Sequence, residues 1–103
     1  MNLKKIILDS HEYEDTNESI HLVFAEKINA KFEPNSKAVV IKLSNEEIEM
    51  DLADISNSKC PGFEYFLELY IIQDFYNALE QLEQYKTDEE KVGRIILYAE
   101  KDA

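Results

Sequence analysis

Residues 38–52 read AVVIKLSNEEIEMDL, and this stretch decides the fold class. Val39, Ile41 and Leu43 alternate with other residues, and so do Ile48, Met50 and Leu52. A period of two is the strand signature, because successive side chains of a strand point to opposite faces. Ser44–Glu47 lies between the two runs. Pairing Leu43 with Ile48 puts all the alternating apolar residues on one face and sets Lys42 opposite Glu49 on the other. The stretch therefore predicts a β-hairpin, although Asn45-Glu46 is not the dipeptide that tight hairpins favour. A half-buried antiparallel sheet follows.

Working outward, the apolar run Leu3–Asp9 predicts a short buried strand, and His11–Asn17 a loop. Asp15-x-x-Glu18 has the spacing of a capping box, and Ile20, Val23, Phe24 and Ile28 recur at helical intervals. A strand using Ile20, Leu22 and Phe24 competes with that helix, and the helix is preferred. Pro34-Asn35-Ser36 ends it with turn chemistry.

Downstream, Ala53–Gly62 is a connector, with Pro61 suited to a first helical turn. Phe63–Gln84 lacks Gly and Pro and predicts one long helix. Its aromatic residues conflict, however. At about 100° per residue, Phe63, Phe66 and Tyr70 fall opposite Phe75, Leu79 and Leu82. The first set is thus either a second buried face or an exposed protein-binding patch. The tail has a capping box, Thr87-x-x-Glu90, with Val92, Ile95, Ile96 and Ala99 at helical spacing; Arg94–Ala99 also reads as a strand. The expected fold is α+β and one domain, residues 1–103. It has a small, mainly antiparallel sheet of three or four strands, one long helix, a shorter N-terminal helix, and a C-terminal segment that is helix or strand.

Charge is the strongest functional signal. The chain carries 22 Asp+Glu against 11 Lys+Arg, a net charge of −11. Between Ser44 and Tyr85 there are ten carboxylates and one base, Lys59. A solvated helix ordinarily mixes Glu with Lys four residues apart, which stabilises it by about 0.2–0.5 kcal/mol per pair. That option is unused here. A surface of one sign steers partners of the opposite sign. In the predicted hairpin, Glu47, Glu49 and Asp51 stand in a row facing solvent at about 6.6–6.8 Å intervals, comparable to successive phosphates of a nucleic-acid strand. An ordinary solvated sheet face is the competing explanation.

Catalytic chemistry is sparse. There is no Gly-rich phosphate loop, no Gly-x-Ser-x-Gly and no His-Glu-x-x-His. The cluster Asp9, Glu12, Glu14, Asp15 and Glu18 around His11 lacks the glycine of a calcium loop and reads as solvated surface. Cys60 is the only cysteine, which excludes an internal disulfide, and reads as a small packing residue. No metal, cofactor or catalytic residue is assigned. No basic stripe supports direct nucleic-acid binding. No apolar run approaches a membrane span and no signal peptide is recognised, so a cytoplasmic protein of a bacterium or phage-infected cell is expected.

In kind, this profile resembles proteins that inhibit nucleic-acid enzymes: anti-restriction and anti-CRISPR proteins, nuclease-inhibiting immunity proteins and DNA glycosylase inhibitors. The likeness rests on size, charge and the lack of catalytic motifs. It implies a non-enzymatic inhibitor that blocks the basic site of a nuclease or DNA-binding protein by nucleic-acid mimicry. The expected contact residues are Glu46, Glu47, Glu49, Asp51, Asp54, Phe63, Glu64, Phe66, Glu68 and Tyr70. The alternative is a regulatory or scaffold module that docks through the aromatic long helix, its charge serving solubility. A homodimer is compatible with both.

Overall fold

The computed structural model describes residues 1–13 and 19–101. Three antiparallel strands form a sheet in the order β2-β1-β3, with β1 at Ser19–Ala25, β2 at Ala38–Ser44 and β3 at Glu64–Glu68. Four α-helices accompany it among the described residues: α1 (Leu3–Leu8), α2 (Leu52–Lys59), α3 (Leu69–Glu80) and α4 (Asp88–Lys101). The α+β class is as expected, with a short N-terminal helix and longer helices later. Several elements are not where periodicity put them.

The N-terminal run is a helix, not a strand. The Asn2 side chain accepts a 2.9 Å hydrogen bond from the Lys5 amide and so caps it. Leu3, Ile6 and Ile7 then fall on one fully buried face at helical spacing. Conversely, the predicted helix through Ile20–Ile28 is strand β1. Leu22, Val23, Phe24 and Ala25 are buried in succession, as only a central strand covered on both faces allows. The predicted cap Asp15-x-x-Glu18 lies outside the described residues. After β1 the chain reverses at Asn29-Ala30, both at positive φ (53° and 67°), with Ile28 and Lys31 exchanging backbone hydrogen bonds.

The predicted hairpin is replaced by a different pairing. Strand β2 lies against β1, with Leu43 opposite Ile20 and Lys42 opposite His21 rather than Glu49. The strand stops at Ser44 because Ser44-x-x-Glu47 is itself a capping box. The Ser44 amide donates to Glu47 Oε1 at 3.1 Å, and the Glu47 amide donates to Ser44 Oγ at 3.3 Å. A 3₁₀ turn at Glu47–Glu49 follows, and then α2.

The predicted long helix is broken in two. Cys60-Pro61-Gly62-Phe63 is a turn, with Gly62 at φ 88° and the Phe63 amide bonded to the Cys60 carbonyl, so Pro61 initiates a turn and not a helix. Strand β3 then adds to the free side of β1, and α3 begins at Leu69. The register shifts between Val23 and Phe24: Val23 faces Leu67 and Phe24 faces Tyr65, leaving Phe66 as the extra residue of a bulge. The bulge lets both Phe66 and Leu67 bury in one layer. The tail is helix α4, started by the Thr87–Glu90 box and buried through Val92, Ile95 and Ile96.

The sheet is covered unequally. One face carries Val23, Ala25 and Ala38 under α1, α3 and α4, and this larger core includes Phe32 stacked edge-on against Phe66, centroids 5.1 Å apart. The other face carries Leu22, Phe24 and Leu43 beneath α2 and the Cys60 turn, with Ile55 the main buried side chain of α2. Burial pushes the Cys60 thiol up from its ordinary range. This thinner side bears most of the predicted contact residues.

Candidate protein-binding surface

The surface begins where β2 ends. The capped turn carries Ile48, Met50 and Leu52 outward, at 38%, 39% and 43% exposure, where the hairpin would have buried them. Three apolar side chains in five residues thus form a solvent-facing ridge. Glu46, Glu49, Asp51 and Asp54 are exposed around it. Asp51 occupies the N-cap position of α2 without a side-chain cap bond, and Asp54 lies in its first turn, where the helix dipole favours negative charge.

One acid of this group is neutralised. Glu47 Oε2, in the 3₁₀ turn that precedes α2, lies 2.7 Å from Nζ of Lys59, the last residue of α2. That hydrogen bond, with the Ser44 amide next in effect, holds the Glu47 carboxyl below the usual carboxylate range. Lys59 is the lone base between Ser44 and Tyr85. No base among the described residues stands within 4.0 Å of Glu46, Glu49, Asp51 or Asp54. The field of these four is therefore uncompensated locally.

Beside the ridge lies a cleft of about 600 Å³. Leu52, Ala53 and Ser56 of α2 form one bank, and Phe63, Glu64 and Tyr65 the other. The Ser56 hydroxyl donates to the Phe63 carbonyl, which ties α2 to the start of β3 and fixes the cleft's width. Burial first, and the Glu68 carboxylate second, push the Tyr65 phenol up to about 12. Lys27 closes one end, 3.7 Å from Glu64.

The predicted contact residues divide accordingly. Glu46, Glu47, Glu49, Asp51 and Asp54 share the turn and the first half of α2, and the cleft brings Phe63 and Glu64 beside them. The straight carboxylate row is not formed: Glu47 and Glu49 sit in a 3₁₀ turn, and Glu47 is tied to Lys59. Phe66 is a core residue, 1% exposed, because the bulge turns it toward Phe32. Glu68 is half-buried at the end of β3, and Tyr70 is exposed on the first turn of α3. The ridge of Ile48, Met50 and Leu52 was missed because its alternation mimics a strand. The pattern Ser44-x-x-Glu47 was the signal that could have exposed it.

Other chemistry is thin here too. No group of three or more His, Cys, Asp or Glu among the described residues could hold a metal ion. No helix among them is long and apolar enough to cross a membrane. His11 Nε2 lies 3.0 Å from Asn77 Oδ1, a tie between the first turns and α3. No protein-family model matches the chain, nor does any curated protein or solved structure.

Proposed function

We propose that this chain is a non-enzymatic inhibitor that binds the basic nucleic-acid-binding site of a nuclease or DNA-binding protein in the cytoplasm of a bacterial or phage-infected cell. The observation that carries this reading is the pairing of the segment's one base with Glu47, which leaves Glu46, Glu49, Asp51 and Asp54 uncompensated around an exposed apolar ridge. Buried anchors dominate the energy of most interfaces, whereas surrounding charges chiefly set on-rate and specificity. Ile48, Met50 and Leu52 supply the anchor, and the four acids supply the field. The mimicry is one of a curved acidic surface rather than of a straight phosphate row.

The test is capture from host lysate at low salt followed by challenge with duplex DNA. The captured protein should be basic, should be displaced by DNA, and should lose its nucleic-acid activity when the chain is added back. A captured partner that resists DNA and high salt, and keeps its activity, would sink the proposal. It would favour a regulatory module that docks another protein through α3, the reading supported by the half-buried Ile71 and Phe75 and the exposed Ala78, which line a groove on that helix.

A further inference from the structure

Away from the acidic end, α3 and α4 pack as an antiparallel pair and leave a groove of about 360 Å³ on their outer side. Leu69, Ile72, Tyr76 and Leu79 of α3 point into the core. Ile71, Phe75 and Ala78 lie one flank over and form the groove's α3 bank. Tyr98 of α4 forms the other bank, its ring edge-on to Phe75 with centroids 5.2 Å apart. Leu82 and Leu97, outside the groove's lining, are exposed as well.

Two charges border this groove, one on each bank. Asp74 lines the α3 side. Arg94, the chain's single arginine, stands on the α4 side with its guanidinium 5.4 Å from the Phe75 ring centroid. In a chain with twice as many acids as bases, Arg94 nevertheless has no carboxylate within 4.0 Å among the described residues, and Asp74 has no base. Asp74 precedes Phe75 and Arg94 rests on Phe75, so the two charges are level along the groove.

We infer that this groove is an isologous interface for a second copy of the chain. A surface with a negative bank and a positive bank at one level is self-complementary. A two-fold axis along the groove sets each α3 bank against the other copy's α4 bank, so that Asp74 meets Arg94 twice. The four helices then alternate in direction, as in an up-and-down bundle. Tyr98 and Arg94 are residue types enriched among interface hot spots, and Phe75 lies against both of them. A basic partner does not fit this face, because Arg94 would be set against like charge.

The experiment is sedimentation equilibrium of the full chain up to about 1 mM, with three tests of the geometry. The parent should approach twice the 12.0 kDa chain mass. Ala78→Arg, at an exposed groove position on a helix that tolerates Arg, should remain folded by circular dichroism and stay monomeric. Asp74→Arg and Arg94→Asp change net charge in opposite directions, yet each should weaken the dimer about tenfold or more, and the double swap should restore it. A parent that is monomeric throughout overturns the inference. So does a dimer indifferent to Ala78→Arg, or a double swap no tighter than its singles.

Discussion

Phe66 and Met50 are both large apolar residues flanked by acids in the sequence, and the fold assigns them opposite roles. Phe66 is 1% exposed, sits at the β3 bulge and packs edge-on against Phe32. Phe66→Ala removes the whole phenyl ring from a site hemmed in by the sheet and helices α1, α3 and α4. Truncations of that kind cost about 3–5 kcal/mol. Domains of this size have a total stability of about 5–15 kcal/mol, so the variant loses a large share of it. At roughly 4–8 °C per kcal/mol, the thermal midpoint falls by about 12 °C or more. Met50→Ser acts on the exposed ridge and should cost under about 1 kcal/mol.

Urea unfolding followed by far-ultraviolet circular dichroism gives both values, with the m-value checking that the denatured state is unchanged. Binding separates the pair in the other direction. Met50→Ser should weaken partner association, whereas Phe66→Ala, at temperatures where it is folded, should leave it intact. If Phe66→Ala melts with the parent, the bulge register is wrong and Phe66 returns to the surface. If Met50→Ser loses as much stability as Phe66→Ala, the ridge is core and the hairpin reading revives.

Lys59→Gln removes the base that neutralises Glu47, adding a further uncompensated carboxylate to the acidic surface; association with a basic partner should speed up, with a steeper salt dependence, in stopped-flow measurements, and unchanged kinetics would show that the turn lies outside the contact. Alkaline titration should destabilise the fold. Burial first, and for Tyr76 the hydroxyl's 3.1 Å bond to Asp88 second, raise the Tyr65 and Tyr76 phenols from 10.0 to about 12. Their neutral forms are favoured in the folded state, so this stability is intact below pH 10 and is lost as pH rises from 10.0 towards about 12. Melts at stepped pH should show that decline, and a flat profile would count against the burial of both rings. On the acid side the sign reverses: Glu47 and Glu89 are held below the ordinary 4.5 by Lys59 and Lys4, so their pairs contribute above that value and are lost as pH falls.

Much of the class was legible and much of the layout was not. Thr87-x-x-Glu90 and the spacing of Val92, Ile95 and Ile96 specify α4 because cap and periodicity agree. Ser44-x-x-Glu47 is the same local device, but alternating residues on either side of it obscured it. Over five residues, alternation does not separate a strand from a turn that leads into a helix. The misassigned helix at Ile20–Ile28 fails for a related reason. A central strand buried on both faces has no period, so chance helical spacing fills the gap. The opposed aromatic sets in Phe63–Gln84 were a real conflict, and the chain resolves it by changing from strand to helix at Leu69. The excess of acid was plain from composition. Which acid Lys59 neutralises depends on how α2 folds back, and local sequence does not encode that.

The two proposed surfaces should respond to salt in opposite ways. In the proposed inhibitor, the acidic turn and α2 would attract a basic partner through an exposed field, which salt screens over a Debye length of about 10 Å at 0.1 M. In the proposed dimer the α3–α4 groove would bring together two bodies that each carry −11, so their net repulsion would be relieved by the same screening, while Asp74–Arg94 contacts formed at the interface would be screened less. Low salt should therefore favour single copies engaging a basic target, and high salt should favour pairing of the chain with itself. The sheet lies between the two surfaces: α2 on one face carries the acids, while α3 and α4 on the other carry the groove. A dimer built through the groove would leave both acidic faces open, so that two copies would engage two basic sites. Bivalent targets then gain avidity from pairing without any new contact to the target itself.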